Sequence, residues 1–302
     1  MLRTRKLVTS LRGLIPLSVV PAVRTAYHLA FRMQLQLRCR MADILDRARA
    51  NDHKLPPAML RFRVSGLIDT RDFYRIGSGC ARLIEESLQT AGKTIAPGVR
   101  ILDFGCGCGR TLRWLLLRHP NSEFHGVDVD LEAIKWCTKH LKPGRFQATS
   151  PFPPLPFPNN HFDIVYSISV FTHLDECMQD VWLSELSRVL KPDGVLVLTV
   201  HGTLAAQELD PDAREVLKRS GFLHRHSMKL KGLVPDWYNT TWHSEEYILA
   251  RLSRWFLNTR YQRVPDGMQD VVVAWSQSHA IALASNPSSL PPFSDRESAD
   301  SD

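Results

Sequence analysis

Between residues 99 and 200 five short apolar runs alternate with three stretches of helical apolar spacing, and few folds accommodate that order. The runs occupy residues 100–104, 123–127, 145–148, 163–168 and 194–200, and the helical stretches 110–118, 131–141 and 177–189. Runs apolar on both faces must be buried on both, which a parallel sheet clothed by its own crossover helices provides. The chain is therefore predicted to build a doubly wound α/β domain. Lys191-Pro192-Asp193-Gly194 is expected to end the third helical stretch in a turn that delivers the fifth strand.

The flanks extend this unit. Residues 41–50 read as a helix, 51–57 as a linker punctuated by Asp52 and Pro56-Pro57, and 71–90 as an amphipathic helix that should cover one face of the sheet. Past Gly202 the alternation breaks. Residues 203–241 carry Asp, Pro and Gly breakers, two helical patches and Trp237-Tyr238. An insertion at a strand's carboxyl end lies over the crevice where such sheets bind ligands, so it is expected to act as a substrate cover. Ser244 opens a helix through Trp255, and 258–264 with 270–275 form a strand pair closing the sheet. The expected division is a basic extension and linker over 1–57, one domain over 58–284, and a Ser-, Pro- and Asp-rich disordered tail over 285–302.

With 302 residues, 44% of them apolar, the chain can bury one large core. Its net charge of +7 invites a nucleic-acid partner, but the excess is local. Residues 1–42 hold eight Arg or Lys and no Asp or Glu, and the remainder balances 30 basic against 31 acidic residues. The near-neutral body weighs against nucleic acid. The apolar stretch 13–23 is broken by Pro16 and Pro21 and falls far short of the ~20 residues of a spanning helix. The leader is expected to be a solvated or domain-packing extension, a surface helix drawn to anionic lipid, or a transit peptide. None of the six cysteines forms a C-x-x-C pair or stands beside a His at zinc spacing. The sequence thus points to a reducing, cytoplasmic setting, with peripheral membrane contact through residues 1–42 as one reading of the leader, and to no metal.

The segment Ile101 to Arg110 reads as a buried strand, a Gly-rich turn and a helix start. Glycines admit positive φ and close backbone approach to a ligand. Asp128 closes the second strand, 19 residues after Gly109, where a carboxylate can accept two ribose hydroxyls. A nicotinamide dinucleotide would use the same parts. Its fingerprint, counted from Gly105, needs a third glycine where Arg110 stands, so the dehydrogenase pattern fails.

At these residues the chain resembles the class I S-adenosylmethionine-dependent methyltransferases. Leu102-Asp103-Phe104-Gly105-Cys106-Gly107-Cys108-Gly109-Arg110 is similar to their first motif and Gly126-Val127-Asp128 to their second. The segments 155–163 and Leu190-Lys191-Pro192-Asp193-Gly194 extend the similarity along the domain. Residues 171–176 and Arg63-Val64-Ser65-Gly66 resemble a bacterial small-molecule subgroup. The resemblance implies a Rossmann-like seven-stranded sheet, mostly parallel with an antiparallel last strand and helices on both faces, and S-adenosyl-L-methionine as cofactor. It further implies that Asp103, Gly105, Cys106 and Gly107 hold the methionine portion, that Asp128 holds the ribose, and that Val129 packs on the adenine. Ile168 joins this set, and Ser150 stands where relatives often carry an acidic residue for the adenine amino group.

Methyl transfer from a sulfonium is an in-line displacement, so the protein mainly positions the acceptor, and a base assists if that acceptor is a hydroxyl. His173 follows the fourth strand, His201 ends the fifth, and His243 lies where the insertion rejoins the domain. All three are candidates for that base. Trp237, Tyr238 and Trp242 could wall the acceptor or pack the insertion, and Asp163 reads as a structural carboxylate. The expected activity is methylation of a small molecule, at a hydroxyl of a sugar, lipid-linked or natural-product acceptor. The alternatives are a nucleic-acid or protein methyltransferase and a non-catalytic subunit that binds S-adenosylmethionine.

Overall fold

A computed structural model describes residues 20–49, 55–225, 239–265, 267 and 269–276. Ordered along the chain are α1 (Val20–Arg49), α2 (Ala58–Ser65), α3 (Thr70–Thr90), β1 (Arg100–Phe104), α4 (Leu112–Arg118), β2 (Glu123–Asp128), α5 (Leu131–His140) and β3 (Arg145–Ala148). Then follow β4 (Phe162–Ser167), α6 (Glu176–Val189), β5 (Leu190–Val200), α7 (Thr203–Ala206), α8 (Pro211–Ser220), β6 (Phe222–Arg225), β7 (Thr240–His243), α9 (Glu245–Leu252), β8 (Asn258–Gln262) and β9 (Asp270–Trp275). The seven-stranded sheet runs β3-β2-β1-β4-β5-β9-β8, parallel through β5, with β9 antiparallel to both of its neighbours. The expected α/β fold is the one observed. Strand order reverses between β1 and β4, which opens a crevice at their carboxyl ends.

Alternate residues of each strand feed two cores, which is why the runs are apolar throughout. Leu102, Val165, Leu196 and Leu198 pack with Trp182, Leu183 and Leu186 of α6 and Ile248 and Leu252 of α9. Ile101, Ile164, Val195 and Val197 pack on the other side with Ala81, Ile84 and Leu88 of α3 and Leu112 and Leu115 of α4. Asp69 starts α3 by accepting from the amides of Arg71 and Asp72. Gly77 lets α3 approach the loop after β1, since a Cβ there would fall 2.2 Å from the Arg110 carbonyl oxygen.

The structure departs from the sequence-based expectations in several places. The helix expected at 41–50 begins at Val20 and absorbs Pro21 in its first turn, where proline's missing N–H costs nothing. α2 was hidden by the Pro56-Pro57 pair: Pro57 precedes its first turn, and Gly66 closes it with a left-handed φ of 68°. Residues 191–194, expected as a turn, lie within β5 as a bulge, where Leu190 faces Phe162 and Val195 faces Ile164. Lys191 pairs with Asp163 across this bulge, and Asp163 also accepts the Arg100 amide at 2.9 Å, the structural role expected of it.

α1 is fastened by a buried ionic knot. The Arg61 guanidinium, fully buried, donates to Asp46 at 2.6 Å and to Thr70, while Asp43 accepts the Ala58 amide at 2.7 Å. Arg61→Ala strands two carboxylates, and removing one partner of a buried pair costs about 3–5 kcal/mol. A thermal melt is expected to show a midpoint lowered by about 10 °C.

Within the insertion, β6 pairs antiparallel with β7. β7 is laid on the ends of the central strands, with the Thr241 amide donating to the Thr172 carbonyl at 2.8 Å and the His243 amide to the His201 carbonyl at 3.0 Å. Trp237 and Tyr238, the leader before Val20 and the tail from 285 lie outside the described residues. Among the described residues no helix is long and apolar enough to cross a membrane.

Candidate functional site

The loop after β1 is a tight turn around backbone donors and acceptors. The amides of Gly105 and Cys106 both donate to the Val127 carbonyl, at 2.9 and 3.0 Å, tying the loop to the end of β2. Gly105 and Gly107 carry φ of 81° and 51°, a region costly to residues with a Cβ. Space forbids one as well, because a Cβ on Gly105 would fall 2.2 Å from Val170 Cγ2 and one on Gly107 2.3 Å from Val64 Cγ1.

Two carboxylates flank this turn on adjacent strands. Asp128, half-buried, accepts the Gly107 amide on Oδ2 at 2.7 Å and the Asp130 amide on Oδ1 at 2.8 Å. Burial raises its pKa, and these two amides oppose the rise. Asp103 is 2% exposed and accepts the Tyr166 hydroxyl on Oδ2 at 2.8 Å. Burial pushes it up to about 8 against the pull of Tyr166, with the charge of Asp128 adding to the rise.

That shift has a consequence for stability. A carboxyl whose folded pKa lies above its unfolded value of 3.8 binds a proton on folding, so its contribution is fully present below pH 3.8 and lost as pH rises to about 8. Asp103→Asn keeps an acceptor for Tyr166 and removes the titration. Denaturant midpoints measured from pH 4.5 to pH 8 are expected to fall less steeply in the variant than in the wild type.

The crevice lip carries Val129, an apolar side chain 37% exposed beside Asp128, and Ile168, half-buried at the end of β4. Ser150 is exposed just past β3, its hydroxyl accepting the Phe152 amide at 3.1 Å. Cys106 is buried under the turn. Arg110, standing where a dinucleotide fold needs glycine, turns its guanidinium to the Val64 carbonyl at 2.7 Å. α2 thus seals the outer side of the loop, and Arg63 reaches on to Asp130 at 2.6 Å and to Glu132. Sequence reasoning noted Arg63 to Gly66 without a role, and it missed Tyr166 and Val170, whose apolar context reads as core.

The donor set can be tested against the expected cofactor. S-adenosylmethionine is cationic through its sulfonium and ammonium and carries a ribose diol, while a dinucleotide brings two phosphate charges. Two carboxylic side chains flank the turn, and the guanidinium of Arg110 is engaged by the Val64 carbonyl, a set that suits the cation better than the two phosphates. Among the described residues no cluster of His, Cys, Asp or Glu is arranged to hold a metal.

The histidines separate into a pair and an outlier. His173 Nδ1 meets the Asn239 carbonyl at 2.6 Å and His201 Nδ1 the Thr241 carbonyl at 3.0 Å. Carbonyls two residues apart thus hold both rings at Nδ1–H and make Nε2 the basic nitrogen. Burial lowers the His173 pKa to about 4 and lowers that of His201 as well. Both rings are neutral at pH 7. The His173 amide donates to the carbonyl of Val170, whose side chain abuts Gly105, which links the backbone at His173 to the glycine turn. His243 is a correction to expectation. It is 2% exposed, its Nε2 lies 2.9 Å from the Gln179 amide nitrogen, and it packs against Phe222 and Tyr247. Burial lowers its pKa to about 3, and a ring enclosed in this way cannot reach an acceptor.

Comparison with known proteins agrees with this geometry. Residues 102–198 match a family model described as a methyltransferase domain. The 2-methyl-6-phytyl-1,4-hydroquinone methyltransferase of Synechocystis is 32% identical over 108 residues, 35% of this chain and 33% of that protein. The fatty-acid O-methyltransferase of Mycolicibacterium smegmatis is 32% identical over 111 residues, 36% of this chain and 40% of that protein. The matches thus span well under half the length of these curated relatives. A proposed O-methyltransferase from Nostoc punctiforme shares the fold at a TM-score of 0.50 and 18% identity, covering 72% of this chain and 60% of that one. Residues 102–198 are therefore a methyltransferase domain of the class I, S-adenosylmethionine-dependent kind, built on the Rossmann-like fold of that class with S-adenosyl-L-methionine as its cofactor.

Proposed function

We propose that the chain transfers the methyl group of S-adenosyl-L-methionine to a small-molecule acceptor, at a hydroxyl of a sugar, lipid-linked or natural-product compound. The observations that support this are the two carboxylates flanking the glycine turn, Asp103 and Asp128, and the two neutral imidazoles, His173 and His201, each held at Nδ1 by a backbone carbonyl. The names of the two relatives describe a phytylated hydroquinone and a fatty acid as substrates, both small molecules with long hydrocarbon chains. A body that balances its charges outside residues 1–42 also favours an uncharged acceptor over nucleic acid.

When bound, the cofactor supplies an electrophilic methyl group, and the chain's own residues supply position and proton removal. Asp103 pairs with the methionine ammonium, Gly105, Cys106 and Gly107 bring backbone close, and Asp128 accepts the ribose hydroxyls. Val129 and Ile168 pack on the adenine, with Ser150 at its edge. His201 Nε2 takes the acceptor proton while the Thr241 carbonyl fixes the tautomer through Nδ1. His173 orients the acceptor beside it, and the described residues of the insertion, 203–225 and 239–241, help to cover the crevice and limit water.

The test is to incubate the protein with S-adenosylmethionine and a panel of hydroxylated acceptors, following S-adenosylhomocysteine by mass spectrometry. Acceptor-dependent release is expected. A protein that binds the donor yet releases no product with any acceptor would be a non-catalytic subunit.

A further inference from the structure

α1 is a helix of 30 residues, about 45 Å long, with apolar residues on two opposite sides. One side is occupied: Leu35 and Cys39, with Ala42, pack on Ala58, Met59, Phe62 and Ile68. The other carries Leu29, Met33, Leu37 and Met41 four residues apart, continued by Ile44 and Leu45, all between 49% and 66% exposed. At about 100° per residue the two stripes lie back to back, so the tertiary contacts that hold α1 leave the second stripe in water. Exposing that much contiguous hydrocarbon is unusual without an interaction partner.

The charges around the stripe say what kind of partner fits. Arg40 and Arg47 border it on one flank and Arg38 on the other, all exposed. The acidic residues of the helix, Asp43 and Asp46, are turned to the packed side, held by the Ala58 amide and Arg61. Upstream, Arg3, Arg5, Lys6 and Arg12 add positive charge, and residues 1–42 contain no acid at all. Two copies of such a face pressed together would set arginine against arginine with no carboxylate between them. An anionic bilayer takes the hydrocarbon into its acyl boundary and neutralises the borders. No described helix is apolar enough to span, so the geometry is that of a helix lying in the interface plane.

We propose that the face of α1 carrying Met33, Leu37 and Met41 docks the protein in the plane of a membrane surface bearing anionic headgroups, with Arg38, Arg40 and Arg47 contacting the phosphates. The docked helix sits on α2, whose Val64 abuts Gly107, so two helical layers would separate the bilayer from the glycine turn. The surface acts whether or not methyl transfer occurs, and its test needs neither donor nor acceptor.

Flotation of the full chain with phosphatidylcholine vesicles, alone or mixed with phosphatidylglycerol, measures the interaction. Recovery is expected with the anionic vesicles and not with the neutral ones, and to weaken as salt rises. A Met33→Glu, Leu37→Glu double variant is expected to bind at least about tenfold more weakly. The Arg38→Gln, Arg40→Gln, Arg47→Gln triple variant is expected to bind about a hundredfold more weakly. All five positions are solvent-facing, so melting temperature and donor affinity in solution should match the wild type and show that the variants are folded. Wild-type protein that ignores anionic vesicles, or variants that float as well as it does, would overturn the proposal. A concentration-dependent dimer without vesicle binding, abolished by the double variant in sedimentation, would overturn it too and assign the face to a second copy.

Discussion

Replacing His201 by alanine is expected to lower kcat for a hydroxyl acceptor by about 10²–10⁴-fold, the range of a positioned general base, while donor affinity stays unchanged. The Thr241 carbonyl holds Nδ1–H of this ring at 3.0 Å, so the lone pair resides on Nε2 without a change of tautomer. Burial lowers its pKa from the ordinary 6.5, which keeps the ring unprotonated at neutral pH. The sign of the pH dependence follows. A lowered pKa extends the base form to more acidic solution, so the wild-type rate should hold through pH 6.5 and decline only below it. The alanine variant should lose this acidic limb. Steady-state kinetics of His201→Ala beside His173→Ala decides the assignment, and a larger loss in His173→Ala would transfer the role to that ring.

Asp128→Ala is expected to weaken S-adenosylmethionine binding by at least about 10²-fold, since hydrogen bonds to a charged group contribute about 1.5–3 kcal/mol each and the ribose diol makes two. A second effect adds to the first. The same carboxylate accepts the amides of Gly107 and Asp130, so its removal loosens the turn that the donor must meet. Asp128→Asn, which keeps an acceptor for one amide but carries no charge, should fall between the two. Calorimetric titration separates them, and an unchanged affinity in the alanine variant would place the ribose contact elsewhere.

The central strands β1, β4 and β5 were legible because they are buried on both faces and read as apolar runs. The glycine turn was legible because positive φ and close packing against Val170 and Val64 leave glycine few substitutes. Local patterns say nothing of contacts made across long sequence separations, and the misreadings lie there. α2 went unread because Pro56-Pro57, read as the end of a linker over 51–57, is as good a helix opening as a breaker, and what decides is Arg61 closing on Asp46. His173 and His201 share a setting only because the end of the insertion offers them the carbonyls of Asn239 and Thr241. His243 could not be told from them by spacing. Its exclusion rests on Gln179, Phe222 and Tyr247 meeting around it.

The most direct test of the donor site is calorimetry of the wild-type protein with S-adenosylmethionine and, separately, with NADH at pH 7, in two buffers of different ionisation heat. The account predicts saturable binding of S-adenosylmethionine and none of NADH. It also predicts that the measured heat depends on the buffer, because a cation arriving beside Asp103, whose pKa is held up at about 8, expels its proton. Folded protein that fails to bind S-adenosylmethionine, or that binds NADH, would contradict it.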